Sequence, residues 1–316
     1  MADVKEDSLW STLPDFAKKV TYEYKGYVLQ TMIAPRYLPD IANFKVRPDD
    51  IFLITYPKSG TTWTQNIITL IFESGSEEKE KNEKHLFQKV PFLEMPQSGL
   101  KETAASSPGK YKEAEEKPSP RILKTQLPME LLPRELDEKK PKIIYVARNP
   151  KDNAVSYFSF CSLSENCPQY TKWSEFYHDF YRGAVPRGSW FDNVLPWWHK
   201  RHEPNVLFLK YEDMKKDLRS CVIQIADFLE RPLSDEAIDT IVAKSTFDAM
   251  KNNPKTNPDR LMESFKNAVD QNKSFLRKGE VGDWKNYFTV AQNESFDALY
   301  REKLQGTELT FEFELN

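Results

Sequence analysis

An α/β fold, with a central and mostly parallel sheet flanked by helices, is predicted by three observations in this 316-residue sequence. Short, near-continuous β-rich runs alternate with stretches of helical periodicity, the pattern of a parallel sheet covered on both faces. Each run ends in polar or charged residues, which gathers them at one edge of the sheet. Finally, the strand Ile51–Thr55 flows straight into Tyr56-Pro57-Lys58-Ser59-Gly60-Thr61-Thr62-Trp63 and then into a helix, a P-loop-like anion site. No internal repeat or domain-scale linker divides the chain, so one domain over 1–316 is expected.

The strands in order are Asp50–Tyr56, Arg121–Thr125, Lys142–Arg148 and Asn205–Tyr211. Helical periodicity predicts Thr61–Ser74, Pro150–Ser159, Trp173–Arg182, Trp190–His202, Lys215–Leu229, Asp235–Ala243 and Ser295–Leu304. Pro150 suits a first helical turn. Glu77–Lys84 is a charge run that reads as a solvated loop. Pro96–Pro120 mixes Pro, Gly, Ser, Lys and Glu without periodicity and reads as a long mobile loop of the kind that covers active sites.

Composition narrows the partners. Hydrophobic residues at 39% and aromatics at 13% indicate a globular chain. The formal charge of −3 gives no global sign of nucleic-acid binding, so a basic site has to be local. No apolar run approaches the ~20 residues of a membrane span, and the acidic start Met1–Asp7 lacks a signal-peptide core. Sparse cysteines (Cys161, Cys167, Cys221) suit a reducing, cytoplasmic setting. No His/Cys spacing suggests a metal.

The strand ends carry the chemistry. In the turn after the first strand, unpaired helix N-terminal N–H groups and the helix dipole favour an anion. Lys58 adds a cation, and Ser59, Thr61 and Thr62 add hydroxyls. Lys precedes Gly, so the order is not that of the nucleotide-triphosphatase loop. In Tyr145–Tyr157 the strand ends at Arg148, and Ser156 follows two helical turns on; a guanidinium fork with a hydroxyl grips a terminal phosphate. The alternative for Arg148 is a pairing with a nearby carboxylate. In Phe275–Trp284, adjacent Arg277 and Lys278 before Gly279 form either a flexible phosphate clamp or a plain surface loop.

Taken together, TYPKSGTTW, RNPKDNAVSY, Tyr211-Glu212-Asp213-Met214 and RKGEVGDW resemble, in this order, the cytosolic sulfotransferases, over essentially the whole chain. The resemblance implies 3′-phosphoadenosine 5′-phosphosulfate (PAPS) as donor and adenosine 3′,5′-bisphosphate (PAP) as product, with no metal. It implies a 5′-phosphosulfate loop at Lys58–Trp63, a 3′-phosphate site at Arg148 and Ser156 closed by Arg277, Lys278 and Gly279, and Trp63, Tyr211, Ser245 and Phe247 around adenine. Lys58, Lys124, Gln126 and Ser156 form the implied catalytic set, with Lys58 neutralising or protonating the leaving oxygen and Lys124 holding the sulfuryl oxygens. Phe92 and Met95, with Tyr157 and Phe160, are candidates for an apolar acceptor pocket, or else core residues. Lys285–Glu294 matches the family's dimer motif, in which each Lys meets the twofold copy's Glu.

One position departs from the pattern. The family reads KTHLP where this chain has Lys124-Thr125-Gln126-Leu127-Pro128, and Gln126 has no titratable site. Losing a positioned base costs about 10²–10⁴ in rate. Four readings stand open: an acceptor reactive without a base, such as an amine, an acidic phenol or an N-hydroxy compound; another residue or water as base; an engineered stall; or a donor- and ligand-binding protein of low activity. None of His85, His178, His199 and His202 has motif support as a replacement.

Overall fold

A computed structural model describes residues 8–74, 84–97, 107–260 and 273–315. A hairpin of β1 (Thr21–Tyr24) and β2 (Tyr27–Gln30) precedes a parallel sheet of β3 (Ile51–Thr55), β4 (Ile122–Thr125), β5 (Lys142–Ala147) and β6 (Val206–Lys210). The sheet order is β4-β3-β5-β6, every neighbouring pair parallel. Successive strands therefore go to opposite sides of β3, which opens a crevice at the carboxyl edge.

Burial on both faces explains the apolar runs. Phe52 and Ile54 of β3 with Ile143, Tyr145 and Ala147 of β5 face one core, shared with Tyr157, Phe176 and Trp190. Their neighbours Ile51, Leu53, Ile144 and Val146 face a second core with Ile67, Ile68, Val222 and Ile225. Two-residue alternation splits each strand between the layers.

The four parallel strands and most helices fall where periodicity predicts them, including Thr61–Glu73, Pro150–Cys161, Trp173–Tyr181, Trp190–His199 and Asp235–Lys244. Three expectations need correction. Lys215–Leu229 is two helices, Tyr211–Lys216 and Leu218–Phe228. Asp217 leaves helical geometry between them, and its carboxylate caps the second by accepting from the Ser220 N–H at 2.9 Å. The last helix starts at Val290, because Thr289 and Gln292 form a capping box. Within the expected Pro96–Pro120 loop, Lys110–Glu116 is helical, anchored by buried Tyr111 and Ala114; residues 98–106, like 77–83 of the charge run, lie outside the described residues.

The β1–β2 hairpin was not predicted. Its two-residue turn, Lys25-Gly26, has φ of 51° and 83°, the left-handed pair that matches strand twist in a tight hairpin. Lys occupies the place where Asn or Asp is the usual signal.

Candidate active site

The crevice is a cavity of about 960 Å³ that opens at the carboxyl ends of the strands. Every residue expected from sequence to bind donor or acceptor, or to act in transfer, lines it except Ser59.

The loop after β3 is shaped around Lys58, whose backbone is left-handed at φ 67°. A non-glycine residue there costs of order 1–3 kcal/mol and persists only when its surroundings fix it. Asn153, on the helix Pro150–Cys161, supplies the fixing: its amide donates to the Pro57 carbonyl at 2.8 Å and the Ser59 hydroxyl at 3.0 Å. Ser59 is thus buried and turned away from the cavity, which corrects its expected place among the anion-facing hydroxyls. Gly60 follows at φ 109°; a Cβ there would stand 3.1 Å from the Tyr211 ring. Thr61, Thr62 and Trp63 open the helix and line the cavity. The Lys58 ammonium lies 3.9 Å from the Phe275 ring centre and 4.7 Å from that of Phe160. Burial first, then repulsion from Arg148 and Arg277, lowers its pKa to about 7.

Lys124, at the end of β4, is buried and donates to the Gln65 side-chain oxygen at 2.6 Å. Its ammonium is 4.3 Å from the Phe87 ring centre and 5.2 Å from that of Phe92. The segment carrying Phe92 runs along the free edge of β4, with Lys124 N–H donating to the Pro91 carbonyl and Leu93 N–H to the Lys124 carbonyl. Burial, with repulsion from Lys110 behind it, also brings Lys124 to about 7. Gln65 escaped the sequence reading, although it sits one helical turn after Thr61.

Arg148 stacks over Tyr211 at 4.5 Å and donates to the Glu280 carbonyl at 2.8 Å rather than to a carboxylate. Its Nε is buried without a partner among the described residues. Ser156 lines the same wall. The opposite rim is Arg277, Lys278 and Gly279, where both cations bind the Asp283 carboxylate. Gly279 has φ 67°, and a Cβ there would lie 2.3 Å from Phe247. Asp152 ties this rim to the Arg148 helix by accepting from Gly282 N–H and Trp284 N–H at 2.8 and 3.0 Å. An aromatic recess completes this half: Trp63 donates to the Ser245 carbonyl at 2.7 Å and meets Tyr211 edge-to-face at 5.2 Å, with Phe247 beside them.

The other half of the cavity is lined by Phe92, Met95, Tyr157, Phe160, Met32 and Phe87. Tyr157 is also core, fully buried, its hydroxyl donating to the Pro186 carbonyl at 2.9 Å. Gln126 faces this half; its amide donates to Thr61 Oγ1 at 3.1 Å and its backbone N–H to Glu94 Oε1 at 2.8 Å. No histidine lines the cavity among the described residues. In His85, Nδ1 caps Leu86–Lys89 by accepting from Phe87 N–H, and Nε2 lies 3.2 Å from the Asn257 carbonyl. His178, His199 and His202 are exposed.

Residues 48–308 match the sulfotransferase domain family. The chain belongs to the sulfotransferase family. It is 43% identical over 302 residues to sulfotransferase 1B1 of Canis lupus familiaris, covering 95% of this chain and 98% of that one. It is 44% identical over 292 residues to human sulfotransferase 1E1, covering 92% and 94%. Among solved structures, it is similar to mouse sulfotransferase SULT7A1 complexed with PAP, at 34% identity and TM-score 0.75 over 92% of this chain and 95% of that one. It is also similar to a retinol dehydratase bound to retinol and PAP, at 28% identity and TM-score 0.80 over 95% and 97%. This sulfotransferase is an enzyme that moves a sulfuryl group from PAPS to a small acceptor; the reading as a weakly active binding protein is not favoured. The cavity fits PAPS: Arg148 Nε, without a partner among the described residues, the cations Lys58, Arg277 and Lys278, and the aromatic recess suit a nucleotide with two anionic ends.

Proposed function

We propose that the cationic half of the cavity holds PAPS and that the apolar half takes an acceptor whose hydroxyl or amine reacts without a histidine base. In this reading Lys58, Gly60, Thr61, Thr62 and Trp63 bind the 5′-phosphosulfate, and Ser59 acts indirectly by keeping the loop closed on Asn153. Arg148, Ser156, Arg277, Lys278 and Gly279 take the 3′-phosphate, and the Asp283 carboxylate yields its two cations to it. Trp63, Tyr211, Ser245 and Phe247 enclose adenine. PAPS supplies the transferable sulfuryl group. Lys58 and Lys124 place positive charge where negative charge develops, and a single donor of that kind contributes roughly 2.7–4 kcal/mol. Lys58 also gives the leaving oxygen its proton. Gln126 orients the acceptor by hydrogen bonding.

The observation that carries this reading is the convergence of Lys58, Lys124 and Arg148 from three strand ends on one cavity, beside an aromatic chamber. Labelled-sulfate transfer from PAPS to a panel of phenols, alcohols and amines tests it. Transfer is expected to the more acidic phenols and to amines, and Lys58→Ala is expected to lower it by about 10²–10³ while PAP binding persists. Activity undiminished in Lys58→Ala would overturn the assignment.

The proposal extends to assembly and setting. Val290, 77% exposed at the head of its helix, is the apolar centre of a small isologous contact formed by Lys285–Glu294. Lys285, which pairs with Glu314 at 2.6 Å within the chain, exchanges that partner for Glu294 of the twofold copy. Three buried free cysteines accord with the cytoplasm. One catalytic domain spans the chain.

A further inference from the structure

We infer that Arg187 binds the acceptor as its anion, so that an acidic hydroxyl, such as a phenol's, enters the site already deprotonated and Gln126 need accept no proton. The inference rests on the sulfotransferase reading above and narrows its acceptor class.

Arg187 lies far from every recognised motif. Its backbone is left-handed at φ 75°, and its N–H donates to the Val28 carbonyl of β2 at 2.8 Å. The side chain is 1% exposed, yet it lines the cavity. One guanidinium nitrogen donates to the Gln30 side-chain oxygen at 2.8 Å, and another stands 3.5 Å from Glu94 Oε1. That same carboxylate oxygen accepts the Gln126 backbone N–H. Arg187 and the residue at the missing base's position therefore meet on one atom.

The pairing is incomplete. Arg187 Nε and Glu94 Oε2 are both buried without a partner among the described residues. Burial pushes the Glu94 carboxyl upward, while the Arg187 cation and the Gln126 N–H act to lower it. The other titratable groups around the guanidinium are Tyr22, Tyr56, Tyr157 and Cys167. The three phenols donate to the carbonyls of Ile33, Gly188 and Pro186, and burial holds them neutral. Cys167 accepts from Gln30 at 3.5 Å and stands beside Glu94 as a second local competitor for the charge. An under-compensated cation in a low-dielectric wall favours the charged form of an acid bound beside it.

The chemistry balances. The acceptor O–H gives its proton to bulk water on binding, and its oxygen lone pair forms the new O–S bond. The bond from sulfur to the 5′-phosphate oxygen breaks, and its electron pair leaves with that phosphate.

Binding of 4-nitrophenol to the protein with PAP, followed through the phenolate absorption band across pH, tests the inference without turnover. The bound phenol is expected to ionise at a pH lower by about one unit, a tenfold shift in its equilibrium. Arg187→Met should return it to the free-solution value, and Arg187→Lys should keep part of the shift. Because Arg187→Met strands a buried carboxylate, Glu94→Gln/Arg187→Met provides a second variant, with PAP affinity as the measure of intact folding. In kinetics, Arg187→Met should lower kcat/KM roughly tenfold more for weakly acidic phenols than for strongly acidic ones. Ionisation unshifted in the wild type, a shift that survives in PAP-binding Arg187→Met, or an equal loss for all phenols would overturn it. Failure of the wild type to bind PAP or transfer sulfate would instead overturn the underlying reading, and this inference with it.

Discussion

The two halves of the cavity are built by different means. The donor half is made of contiguous loop segments at strand ends, held by backbone geometry: Lys58 and Gly60 in left-handed conformations, Asn153 clamping Pro57 and Ser59, and Asp152 clamping Gly282 and Trp284. The acceptor half is made of side chains from distant segments, aromatic walls around buried Arg187 and Glu94 and half-buried Gln126. A nucleotide with fixed anionic ends suits the first construction, because backbone N–H groups and lysines need no redesign between acceptors. Acceptor choice suits the second, where single side chains can change without disturbing the sheet.

The largest effect should come from the donor half. Lys58→Ala is expected to lower kcat by about 10²–10³, the range for losing one donor aimed at developing charge. PAP affinity, measured by calorimetry, should fall far less, since Arg148 and the rim remain. A large loss of affinity with kcat unchanged would make Lys58 a binding group only. The second effect concerns Gly279. In Gly279→Ala the added methyl meets Phe247 and the residue keeps an unfavourable positive φ. PAP affinity should drop roughly tenfold, the equivalent of about 1.4 kcal/mol, with the melting temperature of the PAP-free protein lowered by only a few degrees. An unaltered affinity would separate this rim from the nucleotide.

A pH experiment sharpens the same contrast. Lys58 and Lys124 are depressed from 10.5 to about 7, so between those values the free protein leaves them neutral where the unfolded chain would be charged. The folded state binds fewer protons there, so stability should rise with pH above about 7, as denaturant midpoints can show. An anion restores the proton to Lys58. PAP binding is therefore expected to take up protons at pH 8, read from the buffer dependence of the calorimetric enthalpy, and to weaken as pH rises. Proton release at that pH would contradict the assignment. The smallest effect is at the surface: Val290→Glu should shift the mass in solution from dimer toward monomer without altering turnover, and an unchanged dimer would remove Lys285–Glu294 from the interface.

The same contrast explains what was legible. The sheet and the cationic lining of the cavity could be read because β3, β4 and β5 each carry a cation, Lys58, Lys124 or Arg148, at or just past their ends, so local sequence and placement coincide. Even there, the motif did not tell which hydroxyl faces inward, and Ser59 belongs to Asn153. The hairpin Thr21–Gln30 was missed because its strands are four residues each and its turn is Lys25-Gly26. Arg187 was missed because only the fold brings it to Glu94, 93 positions earlier in the chain. A faint signal existed in Glu94 itself, a lone carboxylate inside the apolar run Val90–Met95.

The central claim is that a complete donor site serves an acceptor site without a histidine base. Comparing wild type and Gln126→His for labelled-sulfate transfer from PAPS to a series running from acidic phenols to aliphatic alcohols tests it most directly. The expected result is a gain for His that grows as acceptor acidity falls, small for the acidic phenols and approaching about 10² for the alcohols. An equal gain across the series, or wild-type turnover of alcohols as fast as that of the variant, would contradict it.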